Sequence, residues 1–237
     1  MTSQISHVLF DLDGTLVDSL PGIEFATRRA MESLGLAPPP YDIRSLIGPP
    51  IRDILETASG IHSPERLSEL EQAFRLAYDS EGWRRTVLYP EVRETLAALV
   101  SRGIRCFVIT NKPRVPTGRI LDYLELSTYF TEVLCPDHRQ PAFLTKAEAA
   151  LEIRSRYGLR GEAMLLAGDS RDDAHAAHTC GCAFAAIEYG YGAAATQRDY
   201  PVHFVAGRIG QLLELLFPLE RDMPSVTGQA VPSSSPL

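Results

Sequence analysis

Two aspartates one residue apart, Asp11 and Asp13, stand in the run Phe10-Asp11-Leu12-Asp13-Gly14-Thr15-Leu16, directly after a short apolar segment. Neighbouring carboxylates repel, so such a pair calls for a cation or a shared proton. A hard divalent ion answers that need, because Mg²⁺ takes oxygen ligands from one or two carboxylates and from substrate phosphate. Leu12 can turn back into the protein, and Gly14 lets the backbone leave sharply. Taken alone, the pair also fits an acidic turn in solvent.

A second acidic set repeats the placement. Leu166-Ala167-Gly168-Asp169-Ser170-Arg171-Asp172-Asp173 follows another apolar run, so Asp169 falls at a strand end and Asp173 one helical turn further on. By itself this is also an ordinary helix cap and acidic first turn, a role that suits Asp172. Asp173 is the better candidate for a site. A third piece, Val108-Ile109-Thr110-Asn111-Lys112, ends a strand with a hydroxyl and backbone N–H groups that can hold phosphate oxygens.

The fourth piece is a lysine. Only Lys112 and Lys146 are lysine among 23 basic residues. A compact ammonium and a planar guanidinium are not interchangeable, which gives a reason for keeping each. Lys146, early in a helix, can neutralise both a nucleophilic carboxylate and a transferring phosphoryl group.

These residues need a frame that brings them to one edge. Apolar runs bounded by turn residues recur at 7–10, 104–109, 131–134, 163–167, 183–187 and 202–205, several of them continuous, as in strands buried on both faces. Helical patterns at 91–101, 115–124, 144–157, 172–180 and 209–217 alternate with them. That order predicts an α/β fold, a parallel sheet between two helical layers, with ligands at the carboxyl ends of the strands. Between Val17 and Arg85 the pattern predicts no strand but helices at 21–34, 50–58 and 64–80. The last opens with Ser63-Pro64-Glu65, an N-cap, a proline at the first helical position and an acidic first turn. Such an insertion reads as a separate cap over the sheet edge. The tail from Pro218 to Leu237 is expected to be disordered.

Bulk properties narrow the function classes. The chain has 237 residues, 45% hydrophobic and 22% charged, with net charge −7, which argues against nucleic acid or anionic membrane as a partner. No segment has the length to span a bilayer, and no secretory signal is visible between Met1 and His7. Cys106, Cys135, Cys180 and Cys182 are irregularly spaced and read as buried or incidental thiols. A soluble cytoplasmic protein is expected.

The four pieces in this order resemble the haloacid dehalogenase superfamily, over about residues 7–217, in its phosphoglycolate phosphatase-like branch. Leu46-Ile47-Gly48-Pro49-Pro50-Ile51, Thr110-Asn111-Lys112-Pro113 and Tyr189-Gly190-Tyr191-Gly192 add to the likeness. The resemblance implies a Rossmann-like three-layer α/β/α core of residues 1–16 and 86–217, with a C1-type helical cap at 17–85. It implies a Mg²⁺-dependent phosphatase of a small phosphorylated metabolite, monomer or homodimer, with phosphoglycolate the leading substrate. Asp11 would be the nucleophile, forming an aspartyl-phosphate, and Asp13 the general acid and then base. Thr110, Asn111 and Lys146 would hold the phosphoryl group, and Gly48 would lie in the cap's substrate loop. The metal would be held by Asp11, the Asp13 carbonyl, Asp169 and, in or near its first shell, Asp173.

One departure stands out: Gln140-Pro141 occupies a place where many relatives have lysine-proline, so the cationic role is assigned to Lys146. His175 and His178 are read as surface or packing residues, and Arg44 and Arg52 as solvated or structural ones. Two rival readings share the fold. A phosphomutase would return the phosphoryl group to substrate, and a regulatory protein would not turn over at all. A dehalogenase is disfavoured by Asp13, an acid that phosphate-ester chemistry needs.

Overall fold

The structure is a computed structural model, and it describes residues 5–39, 42–139, 144–192 and 199–218. The segment around Gln140-Pro141 and the tail beyond Pro218 lie outside the described residues.

The core is one six-stranded parallel sheet. Its strands are β1 (His7–Phe10), β4 (Arg105–Ile109), β5 (Phe130–Leu134), β6 (Met164–Gly168), β7 (Ala183–Ile187) and β8 (Phe204–Ala206), in the order β5-β4-β1-β6-β7-β8. β1 is central, paired with β4 on one side and β6 on the other. The strand order therefore changes direction at β1, and the crevice at its carboxyl end is where open α/β sheets receive ligands.

Alternation along the strands divides two packed layers. Val8, Phe10, Cys106, Val108, Leu165, Ala167, Ala185 and Ile187 face α4 (Val92–Ser101), α5 (Arg114–Tyr123) and α8 (Gln211–Leu216). Leu9, Phe107, Ile109, Leu166, Phe184 and Ala186 face α6 (Lys146–Arg156) and α7 (Arg171–Cys180). This period of two is the pleat of a strand buried on both sides. It carries a consequence past the strand end: Leu12 continues the first face and is fully buried there, while Asp11 follows Leu9 towards α6 and α7.

The helical insertion builds its own apolar cluster. α1 (Leu20–Ser33), α2 (Ile51–Ser59) and α3 (Pro64–Ser80) enclose Ile23, Ala26, Leu55, Leu70, Phe74 and Tyr78. α3 starts as its sequence requires, with Ser63 accepting a hydrogen bond from the Arg66 amide and Pro64 in the first turn. Trp83 packs against both this cluster and the sheet's first layer.

One expectation fails here. Val17–Asp18 is a strand, β2, paired antiparallel with β3 (Val87–Leu88). Two residues are too few for periodicity to register, and the pairing joins positions about seventy residues apart in sequence. The ribbon clasps the two crossings between sheet and insertion. Gly22 and Gly82 close the same junction, since a Cβ on Gly22 would lie 2.2 Å from the Gly82 carbonyl oxygen. Among the described residues, no helix is long and apolar enough to cross a membrane.

Leu9 is fully buried on the central strand. Leu9→Ala should therefore cost about 2–5 kcal/mol in urea unfolding, the range for a truncated core leucine. A cost under about 1 kcal/mol would place Leu9 outside a packed interior.

Candidate active site

Four strand ends deliver the chemistry to one edge: Asp11 after β1, Thr110 after β4, Asp169 after β6 and Tyr189–Gly192 after β7. Asp11 is fixed by its own amide, which donates to the Ala167 carbonyl at 3.0 Å. Beyond Asp13 the chain turns tightly, with the Val17 amide donating to the Leu12 carbonyl and the Gly14 amide to the Val17 carbonyl. Gly14 has φ +88°, and a Cβ there would lie 2.4 Å from an Asp169 carboxylate oxygen. A side chain at that position would meet both backbone strain and the neighbouring acid.

Asp11, Asp169 and Asp173 are all buried, and each offers a carboxylate oxygen within 4.8 Å of the others. Lys146 lies among them, its Nζ 2.8 Å from Asp11 Oδ1 and 2.8 Å from Asp173 Oδ1. It is the first residue of α6, placed by Thr145, which caps the helix in a reciprocal pair with Glu148. Asp173 also caps its own helix: its Oδ2 accepts from the Ser170 amide at 3.0 Å and the Ser170 hydroxyl at 2.5 Å. Capping and charge pairing, alternatives when read from sequence, are both met by this one residue. Gly168 makes room for it, since a Cβ there would sit 2.3 Å from Asp173 Cγ.

Asp169 is held from the other side, by the Tyr191 amide at 2.5 Å and the Gly192 amide at 3.1 Å. The Tyr191 hydroxyl donates to Asp18 and accepts from the Ser19 and Leu20 amides where α1 begins. One side chain thus ties the Asp169 support to the entrance of the insertion.

The electrostatics follow from burial. Burial, then the nearby Asp173 and Asp169, hold the Asp11 carboxyl well above the usual carboxylate range, although Lys146 pulls the other way. Burial and Asp173 push Asp169 up to about 6, against the pull of the Tyr191 amide. Burial alone would lower the Lys146 pKa, but Asp11 and Asp173 beside it raise it above its ordinary value. Three carboxylates against one ammonium leave two negative charges in a buried space if all are ionised. One divalent cation supplies the missing charge, and an all-oxygen donor set suits a hard ion. The residues present fit such a metal.

The Asp13 side chain is not part of this trio. Its two oxygens accept from Lys112 Nζ at 2.9 and 3.1 Å. Thr110 is buried, and its hydroxyl accepts from the Lys112 amide at 3.1 Å. The Asn111 side chain donates to Asp172 and, at 3.2 Å, to the carbonyl of Gly48 in the insertion. Gly48, with φ +133°, therefore meets the strand ends directly. Asp172 is exposed, at the rim.

Other candidates lie elsewhere. His175 and His178 pack on the Tyr200 ring at 5.4 and 5.5 Å. Arg52 pairs with Glu71. Arg44 sits over the Tyr191 ring and reaches the Tyr189 and Gly190 carbonyls, bridging insertion and core. The four cysteines are buried and free. Sequence reading missed two partners, Lys112 for Asp13 and the Tyr191 amide for Asp169. The rarity of lysine was the available signal for the first, and the glycine-rich turn after β7 for the second.

The family model of the haloacid dehalogenase-like hydrolases matches residues 8–187. The chain belongs to that family. It is 32% identical over 209 residues to a phosphoglycolate phosphatase of Salmonella typhimurium, covering 79% of this chain and 82% of the relative. A phosphoglycolate phosphatase of Vibrio parahaemolyticus is 31% identical, over 91% of this chain and 98% of its own length. Among solved structures, a haloacid dehalogenase-like hydrolase from Streptococcus pneumoniae superposes with TM-score 0.81 at 27% identity, covering 91% and 99% of the two chains. Within the haloacid dehalogenase-like family the chain is a phosphatase, and its buried acidic trio has the composition of a divalent-metal site.

Adding Mg²⁺ should raise Tm. At about 100-fold excess over Kd the gain is about 2.7 kcal/mol, or roughly 5–10 °C for a chain of this size. Asp169→Asn should abolish the rise in a thermal-shift titration. An equal rise in that variant would move the metal away from the trio.

Proposed function

We propose that this protein is a Mg²⁺-dependent phosphatase that hydrolyses a small phosphate monoester through an aspartyl-phosphate on Asp11, with phosphoglycolate the leading substrate. The observation that carries the proposal is the buried Asp11–Lys146–Asp173 chain beside Asp169. Relatives named for phosphoglycolate over most of both chains support the substrate.

In this reading the Asp11 carboxylate attacks phosphorus and the bond to the alcohol oxygen breaks, with a proton passing from Asp13 to that oxygen. Water then attacks phosphorus, gives its proton to Asp13, and frees Asp11 with release of phosphate. Dividing one displacement into two is the gain of a covalent route, and Asp13 can serve in both because its proton leaves and returns. Lys146 fixes the orientation of Asp11 and sets positive charge beside the transferring group. Thr110 and the Asn111 backbone, at the β4 end, hold phosphoryl oxygens. Mg²⁺ would be held by Asp11, the Asp13 carbonyl and Asp169, and when bound it would polarise a phosphoryl oxygen as a Lewis acid. Asp173, whose oxygens already hold Lys146 and Ser170, stands in or near that shell.

Residues 17–85 act as a cap over a core of residues 1–16 and 86–217. The Gly48–Asn111 and Arg44–Tyr191 contacts support this, because they seat the insertion on the strand ends where substrate would be enclosed. Closure of such a cap excludes water from the first step.

Phosphate release from phosphoglycolate with Mg²⁺ should fall at least ~10³-fold in Asp11→Asn, as expected for loss of a nucleophile. Turnover by that variant at the wild-type rate would refute the assignment.

A further inference from the structure

Both lysines of this chain are spent on the Asp11-x-Asp13 pair, one on each carboxylate. Lys146 takes Asp11, and Lys112 takes both oxygens of Asp13. The second pairing is built with care. The Lys112 backbone is anchored twice, its amide donating to the Thr110 hydroxyl at 3.1 Å and its carbonyl accepting from the Thr117 hydroxyl at 3.3 Å. Its side chain is 8% exposed. The ammonium lies 5.0 Å from the centre of the Tyr78 ring, over the face, where a cation is attracted by the ring quadrupole. Tyr78 belongs to α3, in the helical insertion, and is buried in that cluster.

We infer that Lys112 is a positioning residue for Asp13, and that Tyr78 of the insertion sets where Lys112 stands. The inference rests on the reading of Asp13 as the proton carrier. Asp13 follows two residues after Asp11, at the mouth of a cluster already holding three carboxylates, and a divalent cation there would draw a fourth. The ammonium competes for it and keeps the Asp13 side chain outside the trio. Arginine, the chain's ordinary cation, carries a broader planar head that does not reproduce a point charge between a carboxylate and a ring. Because Tyr78 arrives from the insertion, the placement of Asp13 depends on the insertion being seated.

The test uses the full chain with Mg²⁺ and phosphoglycolate, comparing Lys112→Met, Tyr78→Leu (which removes the ring and keeps an apolar side chain), Asp13→Asn and the Asp13→Asn/Lys112→Met double variant. Misplacing the proton carrier should lower kcat of Lys112→Met by about 10²-fold, with KM changed by less than about threefold. Tyr78→Leu should lower kcat by a smaller factor. The double variant should be no slower than Asp13→Asn alone, because a residue that acts only through Asp13 has nothing left to position. If Lys112→Met does not fold, as its melting curve would reveal, Tyr78→Leu decides, and an unchanged kcat there overturns the inference. It is equally overturned by a raised KM with kcat intact, which would make Lys112 a substrate ligand, or by losses that multiply in the double variant. Full activity in Asp13→Asn would instead remove the proton-carrier reading, and this inference with it.

Discussion

Everything at the carboxyl edge of the sheet is arranged around the cost of gathering acids in a buried place. Asp11, Asp169 and Asp173 share one small volume with a single ammonium. An unpaired buried charge costs several kcal/mol, so the fold either supplies counter-charge or holds protons on the acids. Burial raises the carboxyls of both Asp11 and Asp169 above their ordinary range, which is that cost seen at the two acids. A divalent cation would supply the counter-charge that the single ammonium does not.

That arrangement is bought by packing rather than by any single contact. The pleat sends Asp11 to the α6–α7 side of the sheet, where the first residue of α6 and the third of α7 meet it. Helix caps at Thr145 and Ser170 fix those two residues to their starting turns. Glycines at 14 and 168 leave the space that the acids occupy. Each device is local, and the site exists because the parallel sheet aligns them at one edge.

Much of this was legible in the sequence, for physical reasons. Continuous apolar runs marked strands buried on both faces, and 7–10 and 183–187 coincide with β1 and β7. Acids placed straight after such runs had to emerge at one edge, which brought Asp11 and Asp169 together. Pairings across long separations left no local trace. Asp13 and Lys112 are 99 residues apart, and the two-residue β2–β3 ribbon is defined only by its partner. The support of Asp169 comes from backbone amides of Tyr191 and Gly192, and an amide carries no identity in sequence. Composition gave an indirect clue to the lysines, because a chain that uses arginine almost everywhere kept lysine at two positions, and both now hold a carboxylate.

The most direct measurement is anomalous diffraction from crystals soaked in Mn²⁺ as a stand-in for Mg²⁺. The account predicts a single peak among Asp11, Asp169 and Asp173, bonded to carboxylate oxygens of Asp11 and Asp169, with the Asp13 side chain still on Lys112. A fully active enzyme whose metal binds elsewhere, or whose trio stays empty at saturating Mn²⁺, would contradict it.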